Sequence, residues 1–284
     1  MARIGRRMPI PPVDLPTPPK VTAVKFDSVG TASYMSSGAG NISWTHNISP
    51  NATALFVAVS SVTSHSTWGA TCGGKTMTYL PAPTLGSGVQ VGVSPNEYAY
   101  AGKVSNKYAG IDIFYLMNPP TGLQTISYGT NNTNIVHANS ISYLNCSGFG
   151  NGSVNPGFLG NTQTSTASIS ATAPVGQVIL NVMAYWLDTP STTNFTSYTQ
   201  TARYSPVIGS GMGEPILIGE APGTGSSTTF SANLTNIYSS GGWGAFALPL
   251  YPLVLPEPKV PTTQVVVSRA AHVQRLAGGL RPPR

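Results

Sequence analysis

The chain has 284 residues, of which 40% are apolar and only 8% charged, with 31 Gly and 25 Pro. That balance allows a sizeable core, suits strands and tight turns, and disfavours long helices. The formal net charge of +6 belongs to the ends: Arg3, Arg6, Arg7 and Lys20 at the front, and Lys259, Arg269, Arg275, Arg281 and Arg284 at the back. Between Val24 and Leu253 five basic residues face six acidic ones, a balance of −1. The basic residues are sparse and no aromatics interleave with them, which argues against nucleic acid. Cys72 and Cys146 make no disulfide framework and read as buried or half-buried thiols. No run approaches the ~20 apolar residues of a membrane span. Arg6-Arg7 is followed by prolines and no apolar segment, so no signal peptide is read. The uncharged, Ser/Thr/Asn-rich surface suits the outside of a cell, and release by lysis reconciles that with the missing signal.

In chain order, residues 1–20 form a Pro-rich arm with Pro9, Pro11, Pro12, Pro16, Pro18 and Pro19. Proline fixes φ and removes donors, so this arm is extended and contributes no core. Strands are expected at Val21–Phe26 and Gly30–Ser36, then a polar-faced one at Asn41–His46 and an apolar one at Ala54–Val59. A Gly73-Gly74 hairpin follows. Further strands are expected at Tyr98–Lys103, Gly110–Met117, Leu123–Tyr128 and Ile135–Leu144, with a surface loop over Ser147–Asn161. Thr164–Ala171, Val178–Tyr185, Ser197–Tyr204, Glu214–Glu220, Ser227–Leu234 and Trp243–Tyr251 complete the list. The turn into Leu55 and the turn into Val178 both join a polar strand to an apolar one, which suggests equivalent places in two halves. The reading is all-β: a single antiparallel β-sandwich of jelly-roll type over 21–253, between two arms. The basic C-terminal arm, 254–284, carries an edge strand at Val265–Val267 and a short helix capped by Ser268 and ending at Gly278, with Val273 and Leu276 on one face. So short a helix is marginal in water and needs a partner. Arg3, Arg6, Arg7, Val273 and Leu276 are therefore read as arm-docking residues.

Gly69–Thr76 formally matches a phosphate-binding loop. That motif needs a buried strand leading in and a helix leading out, and neither context is present. Gly73-Gly74 instead supplies the positive φ of a hairpin. Glu214 and Glu220 lie six residues apart, roughly 20 Å along a strand and too far to act on one glycosidic bond. Asp27, Asp112 and Asp188 are scattered, and His46, His65 and His137 share no metal-ligand spacing. No enzyme, cofactor or metal is expected. Trp68, in a Ser/Thr/Gly loop, is the best exposed aromatic for stacking on a sugar ring, with Tyr98 and Tyr100 beside it in the proposed platform.

The segments FDSVG, SWTHNIS, ALFVAVS and TWGATCGGKTMTYL, then IDIFYLMNPPTGLQTISY, VILNVMAYW and WGAFALPLY, resemble a β-sandwich domain of tail-associated proteins from phages of actinobacteria. The start, Met-Ala-Arg-Ile-Gly-Arg-Arg-Met-Pro with its Pro-rich continuation, is similar to mycobacteriophage minor tail proteins. The resemblance implies a virion structural protein at the tail tip or baseplate, assembled in the host cytoplasm and released by lysis. Its implied partners are other tail proteins and copies of itself, as a homo-oligomer, with host cell-wall glycan as a further contact. It implies no catalytic residues. Two other readings remain open: a capsid decoration or head-fibre protein, and a glycan-binding adhesin module.

Overall fold

A computed structural model describes residues 20–255, apart from 36–39, 62–67, 81–109, 131–135, 160–165, 188–193, 207–214 and 235–240. The expected strand at Tyr98–Lys103 and the C-terminal edge strand and helix lie outside the described residues. Lys20–Leu255 forms one compact unit. The first half contains β1 (Val21–Thr22), β2 (Lys25–Val29), β3 (Ser33–Met35), β4 (Gly40–Ile48), β5 (Ala52–Ser61), β6 (Trp68–Cys72), β7 (Lys75–Thr76), β8 (Thr78–Tyr79), β9 (Gly110–Met117), β10 (Gly122–Thr130) and β11 (Val136–Leu144). The second contains β12 (Cys146–Phe149), β13 (Ser153–Leu159), β14 (Thr166–Thr172), β15 (Val178–Leu187), β16 (Phe195–Thr196), β17 (Thr201–Tyr204), β18 (Ile216–Pro222), β19 (Ser227–Leu234) and β20 (Gly241–Val254). No helix occurs among the described residues.

The strands pair antiparallel throughout and build four sheets. In the first half β2 and β3 lie on β11, followed by β5, β9 and β8, while β4–β10–β6–β7 forms a separate sheet. In the second half β12 and β13 lie on β20, followed by β15, β18 and β17, while β14–β19–β16 forms the separate sheet. The plans superimpose strand for strand: β4 with β14, β5 with β15, β9 with β18, β10 with β19 and β11 with β20. The two similar turns read in the sequence, before β5 and before β15, occupy equivalent places in this scheme. Where the sequence suggested one sandwich, the strands make two: the chain starts on the second, with β1 paired to β20, crosses to the first at residues 23–24 and returns at Asn145 between β11 and β12.

Side-chain alternation explains the stacking. Leu55, Val57 and Val59 of β5 pack with Ile42, Trp44 and Ile126 inside the first sandwich. Ala54, Phe56 and Ala58, on the opposite face, pack with Leu180, Val182 and Phe246 of the second half. Ile179, Met183 and Tyr185 of β15 then face Ile169 and Phe230 inside the second sandwich. The order is outer sheet, inner sheet, inner sheet, outer sheet, with three apolar layers between. Strands β5 and β15 are apolar along their length because both of their faces are covered.

Most strand expectations hold to within a few residues, and Gly110–Met117 and Ser227–Leu234 match in full. One is corrected: Ser147–Asn161 was read as a loop, but most of it forms β12 and β13, paired along β20. Its Gly and Asn have low strand propensity, which the long partner strand overrides. Gly73 and Gly74 have φ of 54° and 79° and turn the β6–β7 hairpin, so the phosphate-loop match has no structural basis.

The connections are distributed unequally between the two ends of the body. At one pole the strands are joined by short turns, 49–51, 73–74, 118–121, 173–177 and 223–226. The two ends of the body meet at that pole: Val21 pairs with Val254, and the Leu255 amide donates to the Lys20 carbonyl at 3.1 Å. Every internal segment outside the described residues joins strand ends at the opposite pole, marked by pairs such as Val136–Ser61, Thr130–Gly40 and Leu187–Gly241.

Candidate functional site

Three groups of buried polar side chains stand out among the described residues. The first lies in the seam between β4 and the β2–β11 edge of the first sandwich. Alternation on β4 turns Trp44, His46 and Ile48 inward. Trp44 Nε1 donates to Ser140 Oγ at 2.8 Å, and that Oγ lies 2.7 Å from His46 Nδ1. His46 Nε2 lies 2.9 Å from Ser28 Oγ and 3.1 Å from Ser142 Oγ. Ser142 Oγ donates to Asp27 Oδ2 at 2.7 Å, and the Ser49 amide donates to the same oxygen at 3.1 Å. Ser28 Oγ donates to the Asn47 carbonyl at 2.8 Å. Gly30 lets the chain come this close: a Cβ there would stand 2.5 Å from Ser140 Oγ.

The partners fix the protons. With the Ser28 proton on the Asn47 carbonyl and the Ser142 proton on Asp27, the ring hydrogen is assigned to Nε2, and Nδ1 accepts from Ser140. Burial pushes the His46 pKa down to about 4, against the opposing pull of Asp27. Burial raises the pKa of the Asp27 carboxyl, but hydrogen bonds from Ser142, Ser49 and Ser28 outweigh it and leave a net lowering. The order in space is carboxylate, serine, histidine. A nucleophilic serine needs the imidazole between it and the carboxylate, with a free nitrogen lone pair to take its proton. Here Ser142 faces the N–H of the ring and hands its proton to the carboxylate, while Ser140 faces the ring's lone pair but is fully buried under the indole hydrogen bond, so the group ties the seam together.

The second group crosses the joint between the halves. Arg203 of β17 pairs with Glu220 of β18 and lies 3.9 Å over the Phe26 ring of β2. Tyr204 and His137 hydrogen-bond at 2.8 Å with perpendicular rings. Burial, then the neighbouring Glu220 charge, raises the Tyr143 hydroxyl pKa. The Tyr143 hydroxyl lies against the Glu220 carboxylate, and Arg203 Nε has no hydrogen-bond partner. The third group is neutral: Gln200 Nε2 donates to Asn181 Oδ1 at 3.0 Å, and Asn181 Nδ2 to the Phe246 carbonyl at 2.9 Å. Separately, the Tyr79 and Tyr128 hydroxyls stand 3.5 Å from the buried Asp112 carboxylate.

No group of three His, Cys, Asp or Glu side chains suited to a metal occurs among the described residues. Cys72 and Cys146 are buried, free thiols in different apolar layers, each pushed up to about 11 by burial. No helix among the described residues is long and apolar enough to cross a membrane. Of the proposed sugar platform, Trp68 begins β6 with its backbone paired to Thr130, while its side chain, with Tyr98 and Tyr100, lies outside the described residues. The same holds for the arm residues Arg3, Arg6, Arg7, Val273 and Leu276. The sequence reading missed the seam and the joint. Asp27, His46 and Ser142 are far apart in the chain; the pairing of β11 with β2 sets Asp27 beside Ser142, and the packing of β4, from the other sheet, against that edge adds His46.

The sequence matches no protein-family model and no curated protein.

Proposed function

We propose that this protein is a structural component of a phage particle, a minor tail protein docked to its neighbours through its arms, and that each half is a jelly roll. For the fold, the support is the strand order. The sheets β2/β3–β11–β5–β9 and β4–β10–β6–β7 alternate as the two sheets of a jelly roll do, and the second half repeats the order. For the function, one observation carries most weight: both ends of the compact described body lie side by side at one pole, and in the sequence each continues into a Pro-rich, basic segment. Pro-rich chain, with φ fixed by its prolines, has less entropy to lose on docking, so two such sequences flanking the body suit a subunit anchored through its ends. The sequence resemblance to actinobacteriophage tail proteins points the same way.

The test is localisation on purified particles, by gold-labelled antibody or a cryo-EM map. Density at the tail tip is the expected result. Density over the head would make this a decoration protein. Absence from particles would overturn the particle reading and leave a glycan-binding module, for which binding to cell-wall arabinan or galactan and its loss in Trp68→Ala are the assay.

A further inference from the structure

We propose that the seam between β4 and the β2–β3 edge is an acid-released latch, which closes around neutral His46 and opens locally when that imidazole takes up a proton, while the second sandwich stays shut. The latch does not depend on the particle reading and is tested on the isolated protein. Its basis is the direction of the hydrogen bonds. In the closed seam each proton has an acceptor. The Trp44 indole donates to Ser140, Ser140 to His46 Nδ1, and the Nε2 hydrogen points to the Ser28 oxygen. Ser28 donates to the Asn47 carbonyl and Ser142 to Asp27. A proton on Nδ1 reverses one link in this chain. Ser140 Oγ then faces two donors, the indole and the imidazolium, and its own hydrogen has lost its acceptor. Ser140 is fully buried, where an unmet donor is costly.

The surroundings of the ring offer the new charge little. Asp27 of β2 is the carboxylate that faces it, through the Ser28 and Ser142 hydroxyls. Lys25 of β2 and Tyr34 of β3 are exposed, and Tyr128 of β10 turns to Asp112 of β9. On β11, His137 bonds Tyr204 and Tyr143 lies against Glu220, both on the opposite face of the strand, towards the joint. The backbone is also built to give here. A full ladder to β10 holds one side of β4. On the seam side the Thr31 amide donates to the Thr45 carbonyl at 2.9 Å, and the serine group supplies the rest. Ala32, in the link from β2 to β3, holds a φ of 65°, a left-handed conformation that is unfavourable for alanine. The equivalent contact in the second half is neutral: Asn155 Nδ2 of β13 donates to the Ser168 carbonyl of β14 at 2.7 Å, and neither strand contains a titratable residue. Acid therefore has a handle on one seam and none on the other.

The experiment follows exchange of the Trp44 indole hydrogen by NMR at pH 7 and pH 4.5, with Trp243, buried in the second sandwich, as internal reference. Each rate is divided by that of free tryptophan at the same pH. With His46 at about 4 when closed and at its ordinary 6.5 when open, Trp44 protection should fall about fiftyfold between the two conditions. Trp243 protection should not change. In His46→Gln, Trp44 protection should be the same at both pH values, whatever its starting level. A disulfide from Thr31→Cys with Thr45→Cys, at positions whose hydroxyls stand 3.4 Å apart, should abolish the fall while leaving the histidine in place. Unchanged Trp44 protection in the wild type would overturn the latch. So would equal losses at Trp44 and Trp243, which mark global unfolding, or an undiminished fall in His46→Gln or in the disulfide variant.

Discussion

In the first sandwich a histidine, a carboxylate and three serines fill the seam between inner and outer sheets; in the second, Asn181 and Gln200 fill the equivalent interior with amides. The strand plan around them is the same. What the two halves share is apolar alternation, which covers both faces of β5 and β15, and the short turns before those strands. The polar interior is therefore a local solution to local packing and leaves the fold unchanged. It does change how each half responds to acid, because the first interior holds His46 and Asp27 while the ionisable group of the second, Tyr185, is pushed up by burial.

The sharpest way to break the comparison is at the joint both halves depend on. Phe56 meets Tyr143 and Phe149 edge-on, in the layer between the inner sheets. Phe56→Ala should cost about 3–5 kcal/mol and lower the melting of both halves in one transition. Two separate transitions would show that the sandwiches are not coupled through this layer.

Acid should separate them next. The folded His46 pKa, about 4, lies below its ordinary value of 6.5. The unfolded chain therefore takes up a proton that the folded chain refuses, and stability is complete above pH 6.5 and lost as pH falls towards 4. Asp27, also lowered, acts in the same direction at still lower pH. The His46 effect should be on the order of 2–3 kcal/mol. Amide exchange at pH 4.5 should accelerate in β2 and β4 before β14 and β19. His46→Gln should flatten this pH dependence while lowering stability at pH 7.

A smaller effect is expected at Glu220→Gln. It replaces the carboxylate with a neutral amide acceptor, so the Arg203 guanidinium, 28% exposed, loses its counter-charge and keeps the Phe26 ring. Solvent screening limits the loss to about 1–2 kcal/mol, read as a lower melting temperature and faster exchange in β17. Smallest of all, Ser43→Ala and Ser170→Ala, on the outer faces of the two halves, should each stay within about 0.5 kcal/mol of wild type. A larger loss in only one of them would mark that face as structurally distinct.

The strands were legible in the sequence wherever alternation or a dense apolar run signalled them, as in Ser227–Leu234 and Gly110–Met117. The doubling of the sandwich was present in the same signal. Strands apolar on both faces require a neighbour on each side, and β5, β15 and β20 all have that character. A single sandwich would have left one face of each polar. Strands β12 and β13 were hidden because their residues follow the pairing imposed by β20 and not their own preference. The histidine seam could not be read, since its members come from β2, β4 and β11 and meet through the pairing of β2 with β11 and the packing of a second sheet upon them. The meeting of Val21 with Val254 was equally out of reach, because adjacency of the two ends of the body is a property of the fold.

The antiparallel pairing of Val21 with Val254 brings the chain's entry and exit within one strand spacing, about 5 Å. A unit with that property behaves as a cassette. It can be set into the loop of another polypeptide, exchanged for a relative or duplicated in tandem, without lengthening or redirecting the host chain.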